Sequence, residues 1–463
     1  MADAFDLVVL GGGPAGEKGA AQAAYFKKRV AVIERAPAPG GAAVHTGTLP
    51  SKTLRETALF LSGHRQRELY GLTVTLNEDL AVPKLLSRKD AVRDLEVARI
   101  RHNLDRHGVE LVHGDARLRD ANTVDVLEDG RVVRSLSSAI ILVATGSAPY
   151  QPPHIPFGEH VADSDSILEL DRLPRRMVVL GGGVIGCEYA SMFAAMHVKV
   201  TLLEGRDRLL PFLDAEMGSR LQASLEALGV DIRLGVSVEK VTLDGNRIEV
   251  VLKSGDVIEC DKLLVASGRQ GNTKGLGLEA AGVELDKRGY VRVDENFRTA
   301  APSIYAAGDV IGFPALASTS MDQARVAVCH AFGFTYKKQV SHLLPYGVYT
   351  IPEVSCVGFS EEQAREKGVE YVVGRALYAD NARGKIVGDK EGVVKLLFER
   401  SSRKLLGCHC IGDRASELVH IGQAVIALGG TVDTLIDMVF NYPTLAETFK
   451  YAAYDALGGW SAA

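Results

Sequence analysis

Phe5-Asp6-Leu7-Val8-Val9-Leu10-Gly11-Gly12-Gly13-Pro14-Ala15-Gly16 opens with an apolar run that breaks abruptly into glycine. The run is short and uninterrupted, as in a parallel strand buried on both faces. Gly11, Gly13 and Gly16 stand in G-x-G-x-x-G register, and a helix is expected from about Pro14 to Lys28. A second apolar run, Arg29 to Glu34, ends in an acid 18 residues past Gly16. Glycine spacing alone is weak evidence. With a strand before it, a helix after it and the acid in place, it is strong. Gly11 permits the tight turn, and Gly13 lets the backbone approach a pyrophosphate at the helix start, where Pro14 and Ala15 lie. Glu34, followed by Arg35, is placed to accept hydrogen bonds from ribose hydroxyls.

The unit then recurs. Met177 to Leu180 is a second apolar run, followed by Gly181, Gly183, Val184, Ile185 and Gly186 in the same register. Val198 to Glu204 ends in an acid 18 residues past Gly186. Two such sites imply two different dinucleotides and an α/β chain with two doubly wound, Rossmann-like domains. Between them, Leu54 to Arg106 reads as mostly helical and Val109 to Val133 as short strands and turns. Ala139 to Gly146 reads as a buried strand closing on Ala144-Thr145-Gly146, and Pro149, Pro152, Pro153 and Pro156 mark a linker. Leu263 to Arg269 is a further strand that closes on Gly268-Arg269. From about Ser341 the chain changes to strands and then helices without a third fingerprint.

Composition sets bounds. A net charge of -5 argues against nucleic acid or an anionic membrane as the main partner. The 48 glycines exceed the usual share of ~7% and cluster at strand-to-helix turns. The 6 cysteines form no CxxC pair and no zinc spacing, so reduced structural thiols in a cytoplasmic protein are expected. Cys408-His409-Cys410 places both sulfurs on one face of a strand and is not read as a metal site. No signal-peptide pattern and no membrane span is expected.

Gly40-Gly41-Ala42-Ala43-Val44-His45-Thr46-Gly47-Thr48-Leu49-Pro50-Ser51-Lys52 follows the first fingerprint. It resembles the segment that lies against the flavin in the pyridine nucleotide–disulfide oxidoreductase family. The frame of Gly40, Gly41, Gly47 and Pro50-Ser51-Lys52 stands, but Ala43 and Thr48 occupy the two cysteine positions of that family's redox disulfide. Ser303-Ile304-Tyr305-Ala306-Ala307-Gly308-Asp309 resembles the family's second FAD fingerprint, with Asp309 on the ribityl chain and also able to cap a helix. Leu316-Ala317 begins a helix that points toward the flavin in related folds. Asn441-Tyr442-Pro443-Thr444-Leu445-Ala446-Glu447 matches the H-P-T-x-x-E run, with Tyr442 where the histidine base stands and Glu447 retained.

The resemblance implies FAD on residues 1–150 and 270–340, NAD(P) on 151–269, and an α+β dimerisation domain on 341–463, in a homodimer or higher oligomer. It implies that Lys52 pairs with Glu188 beside the flavin, while Val44, Thr145, Gly146, Gly268 and Arg269 join the cofactor-binding set. A phenol of ordinary pKa near ~10 is a poor base at neutral pH. The thiol half-reaction is therefore gone, while hydride transfer needs only the cofactors and their placement. One branch of the family, the soluble FAD-dependent transhydrogenases, also has His45 to Lys52, Gly183 to Ser191, Arg206 to Leu210 and Asn441 to Thr444 in similar form. That branch usually keeps the first cysteine, here Ala43; with the partner thiol already lost, the single sulfur is expected to be dispensable. The expected activity is hydride exchange between NADPH and NAD+ through FAD, with Lys52, Glu188, Thr48, Tyr442 and Glu447 at the site. The alternative is an NAD(P)H:quinone or dye reductase using the same residues.

Overall fold

Strand Asp3–Leu10 lies between Val30–Glu34 and the second half of Arg131–Val143, parallel to both. Glu110–His113 and Ile304–Ala306 extend this parallel sheet on its two sides. The structure, a computed structural model, describes residues 3–64, 69–71, 78–245 and 247–461. The chain divides into two compact units. The first comprises Met1–Thr53, Leu86–Tyr150 and Gly268–Ser341; the second comprises Leu54–Leu85, Gln151–Ser267 and His342–Ala463.

In the first unit the apolar run is buried on both faces, as its lack of alternation predicts. Leu7, Val9, Val30 and Val32 pack on Ala20, Ala23, Ala324 and Val328 of two helices. Val8, Leu10, Ala31 and Ile33 fill the opposite face with Ile141 and Ile304. The first helix spans Pro14–Tyr25, shorter than expected, because the chain leaves through a left-handed Lys27 at φ 63°. Strand Arg131–Val143 begins eight residues before the expected Ala139 and is 13 residues long. Its first half pairs antiparallel with Thr123–Glu128 and is about half exposed, so it carries no long apolar run. The helical reading of Leu54 to Arg106 covers Thr48–Ser62 and Glu78–Arg106; residues 65–68 and 72–77 lie outside the described residues.

The second unit repeats the arrangement. Asp231–Arg233, Lys199–Leu203, Arg176–Leu180, Lys262–Val265 and Val161–Ala162 form a parallel sheet in that order. The same unit holds a five-stranded antiparallel sheet, ordered Tyr346–Val348, Glu353–Gly358, Leu405–Gly412, Val393–Glu399 and Tyr371–Leu377. Helices Ala415–Ala427 and Thr448–Ser461 bury Val419, Phe449, Ala452 and Ala453 with Val394, Leu396, Phe398 and Cys408 of this sheet. All 6 cysteines are free and buried, with the Cys408 and Cys410 sulfurs 3.8 Å apart on one face of their strand. Among the described residues, no helix is long and apolar enough to cross a membrane.

Candidate functional site

The first fingerprint is held by contacts that its spacing requires. Gly11 takes φ 103°, its N–H bonds Ile33 O at 2.8 Å, and the Ala144 N–H bonds Leu10 O at 2.8 Å. A Cβ on Gly16 would lie 1.8 Å from the Gly11 carbonyl oxygen, so only glycine lets the helix start this close to the turn. Gly13 caps helix Pro14–Tyr25 without any side-chain bond, and Pro14 fills its first turn. The amides at this helix start suit an anion. Glu34 binds the Gly12 and Ala36 N–H groups, both at 2.8 Å, so the acid also fixes the turn. Arg35 next to it is exposed.

The segment from Gly40 lies against this turn. The Gly40 N–H bonds Gly12 O at 2.8 Å, and a Cβ on Gly41 would lie 2.9 Å from the Gly13 Cα. Val44 is buried, whereas Thr48 is exposed and begins helix Thr48–Ser62, which carries Lys52. The Lys52 ammonium reaches Ser51 Oγ at 3.3 Å, and Gly47 N–H bonds Ala42 O at 2.6 Å. Ala43 and Thr48 leave this segment without sulfur.

Asp309 belongs to the same unit. Its carboxylate accepts the Ser147 hydroxyl at 2.9 Å, and Arg269 donates to Ser147 Oγ and O, each at 2.8 Å. Arg269 thus braces Ser147 and, through it, Asp309. The capping expected of Asp309 is not seen: helix Ala317–Phe332 starts from Leu316 with no side-chain cap. The Asp309 carboxylate is instead turned to Ser147. Gly308 lies beside the first helix, where its Cβ would come 3.2 Å from that of Ala15. Thr145 Oγ1 donates to Asn272 O at 2.8 Å, and Gly146 and Gly268 take φ 68° and 123°.

The second fingerprint copies the first. Gly181 N–H bonds Leu203 O at 2.8 Å, and a Cβ on Gly186 would lie 1.8 Å from Gly181 O. Gly183 caps helix Val184–Ala195, again without a side-chain bond. Glu204 accepts the Gly182 N–H at 2.6 Å and two side-chain bonds from Arg206, each at 2.9 Å. Burial would raise the Glu204 pKa, but the bonds from Arg206 and the Gly182 N–H outweigh it and hold it at about 2. Arg208 faces elsewhere and donates to the carbonyls of Pro211 and Leu213. Burial pushes the Cys187 thiol up to about 12, so this neighbour of Gly186 is inert.

Glu188 lies two residues past Gly186 and is buried, with Oε1 accepting the Tyr349 N–H at 2.9 Å. It is not a solvated helix glutamate. Tyr442 is exposed, while Glu447 accepts from Asn381 at 3.5 Å and Tyr451 at 3.4 Å. Met438, Val439, Tyr451 and Tyr454 of the same C-terminal segment are also exposed. Arg55, Asn381 and Ser147 carry no sequence signal for their contacts with Glu353, Thr444 and Asp309, which lie far away in the chain.

The chain matches the family described as pyridine nucleotide-disulphide oxidoreductase over residues 5–331, and that family's dimerisation domain over residues 344–453. A soluble pyridine nucleotide transhydrogenase of Mycobacterium tuberculosis is 45% identical over 98% of this chain and 97% of its own length. The solved structure of LpdA from Mycobacterium tuberculosis is 30% identical, with a TM-score of 0.89, covering 98% of this chain and 99% of its own. The HOCl-induced flavoprotein disulfide reductase RclA from Escherichia coli is 30% identical, with a TM-score of 0.88, covering 97% of this chain and 99% of its own.

Proposed function

This chain belongs to the pyridine nucleotide-disulphide oxidoreductase family, and from that premise we propose that it exchanges hydride between NADPH and NAD+ through FAD, without a redox disulfide. The observation that carries this reading is the doubled fingerprint beside a stripped dithiol site: Ala43 and Thr48 replace the sulfurs, and Tyr442 replaces the base.

In this reading FAD belongs to residues 1–150 and 270–340, NAD(P) to 151–269, and 341–463 joins two copies. The uncapped helix start at Gly13, the Gly41 approach and the Asp309 carboxylate fit a flavin dinucleotide; Gly183 and Glu204 fit the nicotinamide dinucleotide. Bound FAD supplies a two-electron centre that takes hydride from one nucleotide and returns it to another. Lys52 contributes positive charge, and Glu188 orients the nucleotide. Thr48 takes the place of the thiol next to the flavin. Tyr442 and Glu447 are supplied across the homodimer, a contact that the exposed apolar residues of this C-terminal segment support. Six buried thiols suit a cytoplasmic protein.

The test is anaerobic stopped flow. The flavoprotein is reduced with one equivalent of NADPH and mixed with thio-NAD+. Reoxidation at the steady-state turnover rate is the expected result. A flavin that stays bleached with thio-NAD+ but is oxidised at once by a quinone makes the protein an acceptor reductase instead. Arsenite added after NADH reduction is expected to leave turnover unchanged; strong inhibition would reveal a vicinal dithiol that Ala43 and Thr48 do not provide.

Glu204 and Arg206 govern nucleotide choice in this reading. A carboxylate accepts from a 2′-hydroxyl and repels a 2′-phosphate. Here the carboxylate also holds the guanidinium that a phosphate would need. Wild type is therefore expected to favour NADH. Glu204→Ala frees Arg206 and is expected to raise the preference for NADPH over NADH by about tenfold, the scale of one charge-assisted hydrogen bond. Losing the Gly182 anchor weakens both nucleotides alike, so the ratio of their dissociation constants is the quantity to measure. An unchanged ratio would show that the pair does not face the 2′ position.

A further inference from the structure

Arg55 lies on helix Thr48–Ser62, one turn past Lys52, with its side chain only 3% exposed. A guanidinium this deep must be matched by charge and hydrogen bonds. Its Nη1 pairs with Glu353 Oε1 at 3.2 Å and with the more exposed Glu56 at 2.6 Å. Its Nε donates to the Thr350 carbonyl at 3.0 Å. Glu353 is itself buried, and its other oxygen accepts the Ser416 N–H at 3.1 Å, at the start of helix Ala415–Ala427. The residue before Thr350 is Tyr349, whose N–H binds Glu188 Oε1. Ser416, Glu353, Arg55, Thr350, Tyr349 and Glu188 thus form one connected chain inside the second unit, buried throughout except at the half-buried Tyr349.

Tyr349 to Pro352 connects strands Tyr346–Val348 and Glu353–Gly358 and lies outside their ladder. Its backbone is therefore not fixed by sheet pairing. A backbone donor orients a carboxylate only if it is itself held. Arg55 supplies that anchor on Thr350, with the Thr350 hydroxyl bonding Pro352 O at 2.6 Å as a second.

We propose that Arg55, braced by Glu353, is a positioning residue for Glu188: it fixes the Thr350 carbonyl, and so aims the Tyr349 N–H that holds the Glu188 carboxylate. The proposal rests on Glu188 acting in hydride transfer, as read above. A purely structural Arg55 would cement helix to sheet and leave Glu188 untouched.

The test compares Arg55→Met, Arg55→Lys, Glu353→Gln and Glu188→Gln with wild type, each as FAD-loaded full-length protein. Two quantities are read: hydrogen exchange of the peptide spanning 346–352, and the rate of flavin reduction by NADPH per bound flavin. Arg55→Met is expected to speed exchange in that peptide. It should also slow reduction by on the order of ten- to hundredfold, the range for a misplaced group, with the nucleotide dissociation constant little changed. Arg55→Lys, which keeps a donor, recovers part of both. If Arg55→Met cannot be isolated with flavin, Glu353→Gln is read against the same outcomes. Wild-type exchange in these variants, or a wild-type rate while Glu188→Gln is slow, overturns the proposal. A wild-type rate in Glu188→Gln defeats the reading of Glu188 instead, and exchange then decides alone whether Arg55 orders Tyr349. The final oxidant plays no part in this half-reaction, so a quinone-specific enzyme would behave in the same way.

Discussion

Lys395→Met is expected to destabilise the folded protein by about 3–5 kcal/mol, the cost of leaving buried charge without its partner. Lys395 is in the middle of strand Val393–Glu399 and only 1% exposed. Its ammonium bonds Asp214 at 2.7 Å, Glu361 at 2.6 Å and Glu216 at 3.1 Å. Asp214 is itself buried and accepts the Glu216 N–H at 3.1 Å, so this one ammonium ties the start of helix Ala215–Ala227 to the antiparallel sheet. Methionine fills the volume but leaves three carboxylates facing each other. Arg375, bonded to Glu216 at 2.9 Å, relieves only part of this.

The pH dependence follows from the signs. For all three carboxylates burial works against charge, but bonds to Lys395, joined at Glu216 by Arg375, prevail; Asp214 and Glu361 are lowered, and Glu216 is held at about 2. Their contribution is full above the unfolded carboxylate range near ~4 and is lost as pH falls through the lowered values. Lys395 is raised, because bonds to Asp214 and Glu361 outweigh its burial, so its share is lost only at alkaline pH. His409, directly across the ladder from Lys395, is pushed down by its burial. In the variant the crowded carboxylates take up protons more readily. The unfolded carboxylates are the same in both proteins and cancel, so the stability gap is expected to be widest at neutral pH and to narrow as pH falls through the range where the variant's folded carboxylates take up protons that wild type excludes. Urea titrations of both proteins at two pH values would measure it. A gap that stays constant or widens in acid would show that the carboxylates are not what Lys395 neutralises.

This network was not legible in the chain, and the reason is separation. Asp214 and Lys395 are 181 residues apart, and a lysine within Val393 to Phe398 announces only that something must neutralise it. Arg55 is similar: on a helix of mixed charge it reads as a surface residue, because Glu353 and Thr350 lie about 300 residues away in the chain. Arg206 and Arg208 look equivalent in sequence, and only the loop geometry gives one to Glu204 and the other to backbone carbonyls. The fingerprints were legible for the opposite reason. Their geometry is local: Gly16 and Gly186 each meet the carbonyl of a glycine five residues earlier, so spacing alone encodes the contact. Strand Arg131–Val143 lies between these cases, with its buried half plain in sequence and its half-exposed half hidden.

That local geometry makes Gly186→Ala the sharpest way to separate the two sites. By helix propensity alone, alanine would stabilise this position by up to ~1 kcal/mol. Sterics reverse the sign, because the new Cβ would lie 1.8 Å from Gly181 O and 3.0 Å from its carbonyl carbon. Neither atom belongs to a movable side chain. Relief requires the helix start to back away from the turn, which displaces the amides that would hold a pyrophosphate. The expected result is a yellow protein that keeps FAD and is bleached by dithionite. Its reduction by NADPH or NADH should fall by on the order of a hundredfold or more, because the nucleotide no longer seats. Gly16→Ala carries the same clash, 1.8 Å from Gly11 O, in the first unit and is expected to yield protein without flavin. The pair of variants tests which fingerprint holds which dinucleotide. If Gly186→Ala emerges colourless and Gly16→Ala retains its flavin, the assignment is reversed. If Gly186→Ala reduces at the wild-type rate, the second fingerprint is not where the nicotinamide nucleotide binds, and the proposed hydride exchange loses its basis.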